Sequence, residues 1–188
     1  MPVVISLLRG INLAGHHKVK MDELRALYAS LKLRDSHTYV QSGNVVFRTD
    51  EKDLVRLSER IEQAIERKFG FRADVVLRTT ADLKKLVAKN PFANRGGIEP
   101  AKLAVTFLPS ELEKKTCAEL VGIPCKSEEI QLGKRELFVY FPDGMGKSKV
   151  GGMVDRVLKK SGTFRNWNTV NRLLEMAEKM ENETSGTI

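Results

Sequence analysis

Cysteine is scarce in this chain. Cys117 and Cys125 are the only two, and they form neither a CxxC pair nor part of a His cluster. That excludes a disulfide framework and a cysteine zinc site, and both read as reduced thiols. Histidine is scarcer than a metalloprotein would want: His16 and His17 are adjacent in a loop and His37 stands apart, so no His-based metal site is expected. Long apolar runs are missing as well. The longest, Val3 to Leu8, falls far short of the roughly 20 residues of a membrane span. It also lacks the basic leader and small-residue cleavage site of a secretion signal. The expectation is a cytoplasmic protein without a membrane partner.

No basic tail is present either, because the positive excess divides evenly about Thr79. What the 188 residues do have is 41% hydrophobic and 30% charged composition, enough to bury a core, and a net charge of +8. A pI near 9.5 favours anionic partners, either a small molecule or nucleic acid. Oligomeric state and cofactors are not legible.

The pattern along the chain is that of an α+β protein. The β-branched run Val3 to Leu8 suits a strand buried on both faces. Met21, Leu24, Leu27, Tyr28 and Leu31 recur at helical spacing, with Asp22 and Glu23 at the positive end. His37 to Gln41 and Asn44 to Arg48 flank Ser42-Gly43 as a hairpin. Asp50 is placed to cap a helix with the stripe Leu54, Leu57, Ile61, Ile65 and Phe69, which Gly70 ends. Ala73 to Arg78 is the next strand. This β-α-β-β-α-β order is that of the ferredoxin-like split βαβ unit.

The order then returns. A connecting helix, Ala81 to Lys89, is capped by Thr80 and stopped at Asn90-Pro91. Lys102 to Leu108 is a strand, and Ser110 with Glu113 makes a capping box for a helix to Val121. Glu128 to Leu132 and Arg135 to Phe141 form a hairpin. A helix carries Val150, Met153, Val154, Val157 and Leu158, and Thr163 to Arg165 closes the second sheet. The halves share element order without visible residue matches. The expected architecture is two ferredoxin-like halves, residues 1–79 and 101–166, with their antiparallel sheets packed together. Residues 80–100 connect them, and 167–188 supply a C-terminal helix, Asn168 to Met180, followed by a frayed tail.

Four segments carry a resemblance: RGINLAGHHKVKM from Arg9, TYVQSGNVVF from Thr38, GMGKSK from Gly144 and TFRNWNTV from Thr163. In this order they resemble the domain-of-unknown-function 1697 family. The resemblance implies a bacterial α+β protein and no particular activity.

The same segments hold the candidate site residues. Gly144 to Ser148 is not a P-loop, because the position that GxxxxGK[ST] reserves for its first Gly is Phe141. What it offers is a Gly-rich turn at a helix start, where Lys147 and Ser148 either hold an anion or simply cap. Arg9, at the end of the first strand beside Gly10 and Asn12, either clamps a carboxylate or phosphate or pairs with an internal acid such as Asp74. Lys20 follows in the same segment. Ser42 and Asn44 are polar residues of a tight turn. Arg165 and Trp167 stand where the last helix begins, with Asn168 as its cap; Trp167 either anchors that helix or stacks a ring. Phe138 and Tyr140 share one strand face, as core or as a base-stacking surface. Two readings follow: a module binding a phosphate-bearing ligand, nucleotide or nucleic acid, or an enzyme acting on a phosphorylated or carboxylated small molecule. No nucleophile with an assignable base stands out for the second.

Overall fold

The computed structural model of the chain describes residues 1–13 and 16–185. Its first strand, β1 (Val3–Leu8), is buried at every position, as an apolar run without polar alternation requires. It lies between two antiparallel neighbours, β3 (Asn44–Arg48) and β4 (Val75–Thr79). With α1 (Met21–Ser30), β2 (Arg34–Tyr39) and α2 (Leu54–Phe69), these form a four-stranded sheet in the order β2-β3-β1-β4. A third helix, α3 (Thr80–Ala88), follows.

The order then recurs as β5 (Leu103–Phe107), α4 (Lys114–Val121), β6 (Glu129–Leu132), β7 (Glu136–Tyr140), α5 (Val150–Val157) and β8 (Thr163–Asn166). The second antiparallel sheet has the order β6-β7-β5-β8, and α6 (Trp167–Ser185) ends the described chain. Two compact units result. One is Met1–Val87 with the part of α6 from Asn171 onward, and the other is Ala88–Val170.

In the first unit, the sheet face bearing Val4, Leu8, Val45, Phe47, Val75 and Leu77 packs against Leu24, Leu27 and Tyr28 of α1 and Leu57, Ile61 and Ile65 of α2. The second unit repeats this with Ala104, Leu137 and Val139 beneath Leu120, Val150 and Val154. Two residues hold matching places in the two sheets: Arg78 lies opposite Ile5, and Arg165 lies opposite Val105. Both arginines are buried. Each turns its Nη1 back to donate to the preceding carbonyl, Leu77 at 2.9 Å and Phe164 at 2.7 Å.

Turns and caps are where local reading and structure part. Gly70 ends α2 in the left-handed region, as its position suggests. The cap of α2 is Asp53, not Asp50: its carboxylate accepts from the N–H groups of Val55 and Arg56. Thr79, not Thr80, caps α3 in a reciprocal box, accepting from Asp82 N–H while the Asp82 carboxylate accepts from Thr79 N–H. The box expected from Ser110 and Glu113 does not form, because α4 starts only after Glu113 and has no side-chain cap. Asn166, not Asn168, serves α6, accepting from Thr169 N–H at 2.9 Å. The helix also continues past Met180 to Ser185, where fraying was expected; residues 186–188 of that tail lie outside the described residues.

At the first hairpin Gly43 has φ +78°, and an added Cβ would sit 2.7 Å from the Leu8 Cβ. Glycine is required there for conformation and for space.

Complete burial of β1 leaves one hydroxyl to be satisfied. Ser6 is fully buried, and its Oγ lies 2.7 Å from the hydroxyl of Tyr28 on α1. Burial also pushes the Tyr28 phenol well above its ordinary pKa. Removing one partner strands the other, so Ser6→Ala or Tyr28→Phe should each cost about 1–3 kcal/mol. The double variant should cost clearly less than the sum. Urea denaturation of all four proteins measures this, and strict additivity would show that the pair is not coupled.

Candidate functional site

The segment after β1 is held by one side chain. Asn12, with φ +53°, donates from Nδ2 to the carbonyls of Val19 at 3.0 Å and Gln41 at 2.8 Å, and its Oδ1 accepts from Val19 N–H at 2.8 Å. This bolts the approach to α1 onto the first hairpin. Val19 is buried while Lys18 and Lys20 on either side are exposed.

Lys20 is then the residue before α1, and no side chain caps that helix. The first-turn N–H groups of Met21, Asp22 and Glu23 are left to solvent or a ligand. In front of them is an open cleft of about 690 Å³, lined by Asn12, Lys18 to Glu23 and Gln41. Asp22, one of its two acids, is paired with Arg25.

The other candidates of the first unit lie around this segment. Arg9 is half-buried, and its main-chain N–H donates to the Asp74 carbonyl at 2.9 Å. Asn44 is fully buried, with Nδ2 donating to the Tyr39 carbonyl and to the Ser42 hydroxyl at 2.9 and 3.0 Å. Both residues therefore shape the hairpin turn. His17 is exposed yet stacks on Phe71, with ring centroids 4.2 Å apart, and its Nδ1 lies 2.9 Å from the Gly10 carbonyl. Among the described residues no group of three or more His, Cys, Asp or Glu is placed to hold a metal ion.

Lys147, Ser148, Arg165 and Trp167 all belong to the second unit. Lys147 is exposed in a single 3-10 turn. Arg165 is buried, its Nη1 donating to Thr163 Oγ1 at 2.8 Å as well as to the Phe164 carbonyl. Loss of water lowers its pKa to about 10, which leaves it protonated at neutral pH. Trp167 is buried with its ring 6.3 Å from Phe138, and Tyr140 packs near Phe92. The two strand aromatics Phe138 and Tyr140 are thus core residues, without the exposure a base-stacking platform needs.

Ser148 donates its hydroxyl to Glu128 and accepts from Val150 N–H. That hydrogen bond, joined by backbone N–H groups, lowers Glu128 to about 2. A carboxylate so weakly basic cannot activate a serine hydroxyl at neutral pH. This pair fastens the turn before α5 to the start of β6. Sequence reading missed Lys18 and Glu128; the signal for Lys18 was the alternation Lys-Val-Lys before the helix.

The model of the family described as "Protein of unknown function (DUF1697)" matches residues 1–138. The chain belongs to this family. The matched stretch includes the α1 cleft and the first hairpin, while the Gly144 and Thr163 segments lie beyond it. No curated protein matches the chain. Among solved structures, the conserved bacterial protein SP0830 from Streptococcus pneumoniae is similar, with a TM-score of 0.73 and 23% identity over 94% of this chain and 98% of that one. At that identity the likeness shows the fold of this DUF1697 member. No helix among the described residues is long and apolar enough to cross a membrane.

The Glu128 carboxyl gives a pH test. Because its pKa is depressed from 4.5 to about 2, the stabilisation it contributes is complete above pH 4.5 and is lost as pH falls toward 2. Carboxyl-carbon NMR titration should place its midpoint near 2 in the wild type and return it toward 4.5 in Ser148→Ala. An unmoved midpoint would show that the hydroxyl is not the cause.

Proposed function

We propose that this DUF1697 protein is a cytoplasmic binding module that takes an anionic, phosphate-bearing small molecule in the cleft before α1. One observation supports the reading above others: two lysines, Lys18 and Lys20, line the approach to an uncapped helix start. Unused N–H groups, the positive end of the helix and two ammonium groups all favour the same charge. Asn12 holds the geometry rather than touching the ligand, since its amide is engaged with Val19 and Gln41. The size of the cleft suits a nucleotide-sized molecule better than a length of nucleic acid. Of the residues singled out in the sequence, Lys20 is assigned to the ligand and Asn12 to its support. Arg9, Ser42 and Asn44 belong to the surrounding scaffold.

We also take residues 1–79 and 101–166 as two ferredoxin-like halves, joined by 80–100 and followed by 167–188. The support is the β-α-β-β-α-β order of each half and its strand order, in which the first strand is central and the second and fourth lie at the edges.

Calorimetric titration of inorganic phosphate and of nucleoside mono- and triphosphates tests the cleft. At least one should bind the wild type, more weakly as salt rises. Losing one charged hydrogen bond costs about 1.5–3 kcal/mol, so Lys20→Ala and Lys18→Ala should each weaken binding by about tenfold or more. Absence of binding to the wild type, or identical binding to both variants, would end the proposal.

A further inference from the structure

The cleft before α1 is larger than a phosphate group requires. At about 690 Å³ it lies in the size range of small-molecule sites, and its lysines and helix start account only for the charged part of a ligand. The first hairpin contributes the rest of the lining through Gln41. Two amides therefore line the cleft. Asn12 spends its own on Val19 and on the Gln41 carbonyl, whereas the Gln41 side chain is exposed. A carboxamide sets a donor beside an acceptor, the pattern found along the edge of a nucleobase.

The residues next to these two amides are apolar and in the open. Leu13 follows Asn12 and is 60% exposed, and Val40 precedes Gln41 and is 49% exposed. Both flank one hydrogen bond, from the Asn12 amide to the Gln41 carbonyl. Val40 is also strained: its φ is +49°, in the left-handed region where a β-branched residue is an outlier. Gly43 shows that the same hairpin takes glycine where the backbone turns left-handed, at φ +78°. Valine at position 40 neither eases the backbone nor fills the core. What it supplies is an apolar surface in water beside an exposed amide, and strain of this kind collects at ligand clamps.

We infer that the ligand of this cleft is a nucleotide whose base lies against Val40 and Leu13 while the Gln41 amide bonds its edge. The base contact rests on the anion reading of the same cleft, with Lys18 and Lys20 at the phosphate. Gln41 and Val40 then set specificity, by separating a nucleotide from a phosphorylated sugar that carries the same charge.

Two probes that differ in the base alone decide it. Adenosine monophosphate and ribose 5-phosphate are titrated calorimetrically into full-length wild type, Val40→Gly and Gln41→Ala. Burying one ring face and adding one hydrogen bond predicts that the wild type binds the nucleotide about tenfold or more tightly than the sugar phosphate. Val40→Gly, whose glycine suits the same φ, and Gln41→Ala should each cut that ratio by about threefold or more. Lys20→Ala should weaken both probes and leave their ratio as it was. Equal binding of the two probes to the wild type would overturn the base contact while the anion cleft stands. An undiminished ratio in a folded Val40→Gly or Gln41→Ala would overturn it as well. If neither probe binds, the anion reading fails and the base contact falls with it.

Discussion

Burying the central strand of each sheet on both faces is the constraint from which the rest of this structure follows. All six residues of β1 and all five of β5 are buried. A strand in that position must find hydrogen-bond partners along both edges and cover over both faces. The edges are met by β3 and β4 around β1, and by β7 and β8 around β5. One face of each sheet is met by a pair of helices. Polar atoms caught in the arrangement must then be matched locally, which is why Ser6 faces the hydroxyl of Tyr28 and why each buried arginine bonds a carbonyl of its own strand.

The paired arginines show how far the repetition goes. Arg78 and Arg165 sit opposite equivalent residues of the central strands, each on the last strand of its sheet and just before a helix. A long guanidinium there brings its own donors to a place where the strand ends and carbonyls need partners. Burying such a group is costly, and the second unit registers the cost as a lowered pKa for Arg165. The recurrence of so expensive a residue at one register position is better evidence of an internal repeat than element order alone. It escaped sequence comparison because the intervening elements differ in length, α5 being half as long as α2.

What could be read from the residues was whatever depends on neighbours in the chain. The apolar run of β1, the stripe on α2, the turn at Gly43 and the stop at Gly70 are local patterns, and all appear where periodicity and φ requirements put them. The caps of α3 and α6 were displaced by one or two positions because these helices begin where sheet pairing ends, and pairing is not local. Asn166 is still paired with Ala104 in the sheet while its side chain caps α6, so Asn168 falls inside the helix. The candidate site was legible in composition and not in role. Asn12, Ser42 and Asn44 are polar and near turns, but only the three-dimensional hydrogen bonds show their amides and hydroxyls spent on backbone and on one another.

Scaffold and opportunity differ in whether a polar group's bonding capacity is already used. Where a polar side chain meets a main-chain partner at ordinary hydrogen-bond distance, as Asn12 does three times, its bonding capacity is used to fix a loop, and a ligand would have to displace those bonds. Where the chain leaves a helix start uncapped beside two exposed lysines, the backbone itself retains unused donors. A chain whose two sheets share a strand order can therefore carry such an opening in what surrounds one sheet without any change in the sheet itself.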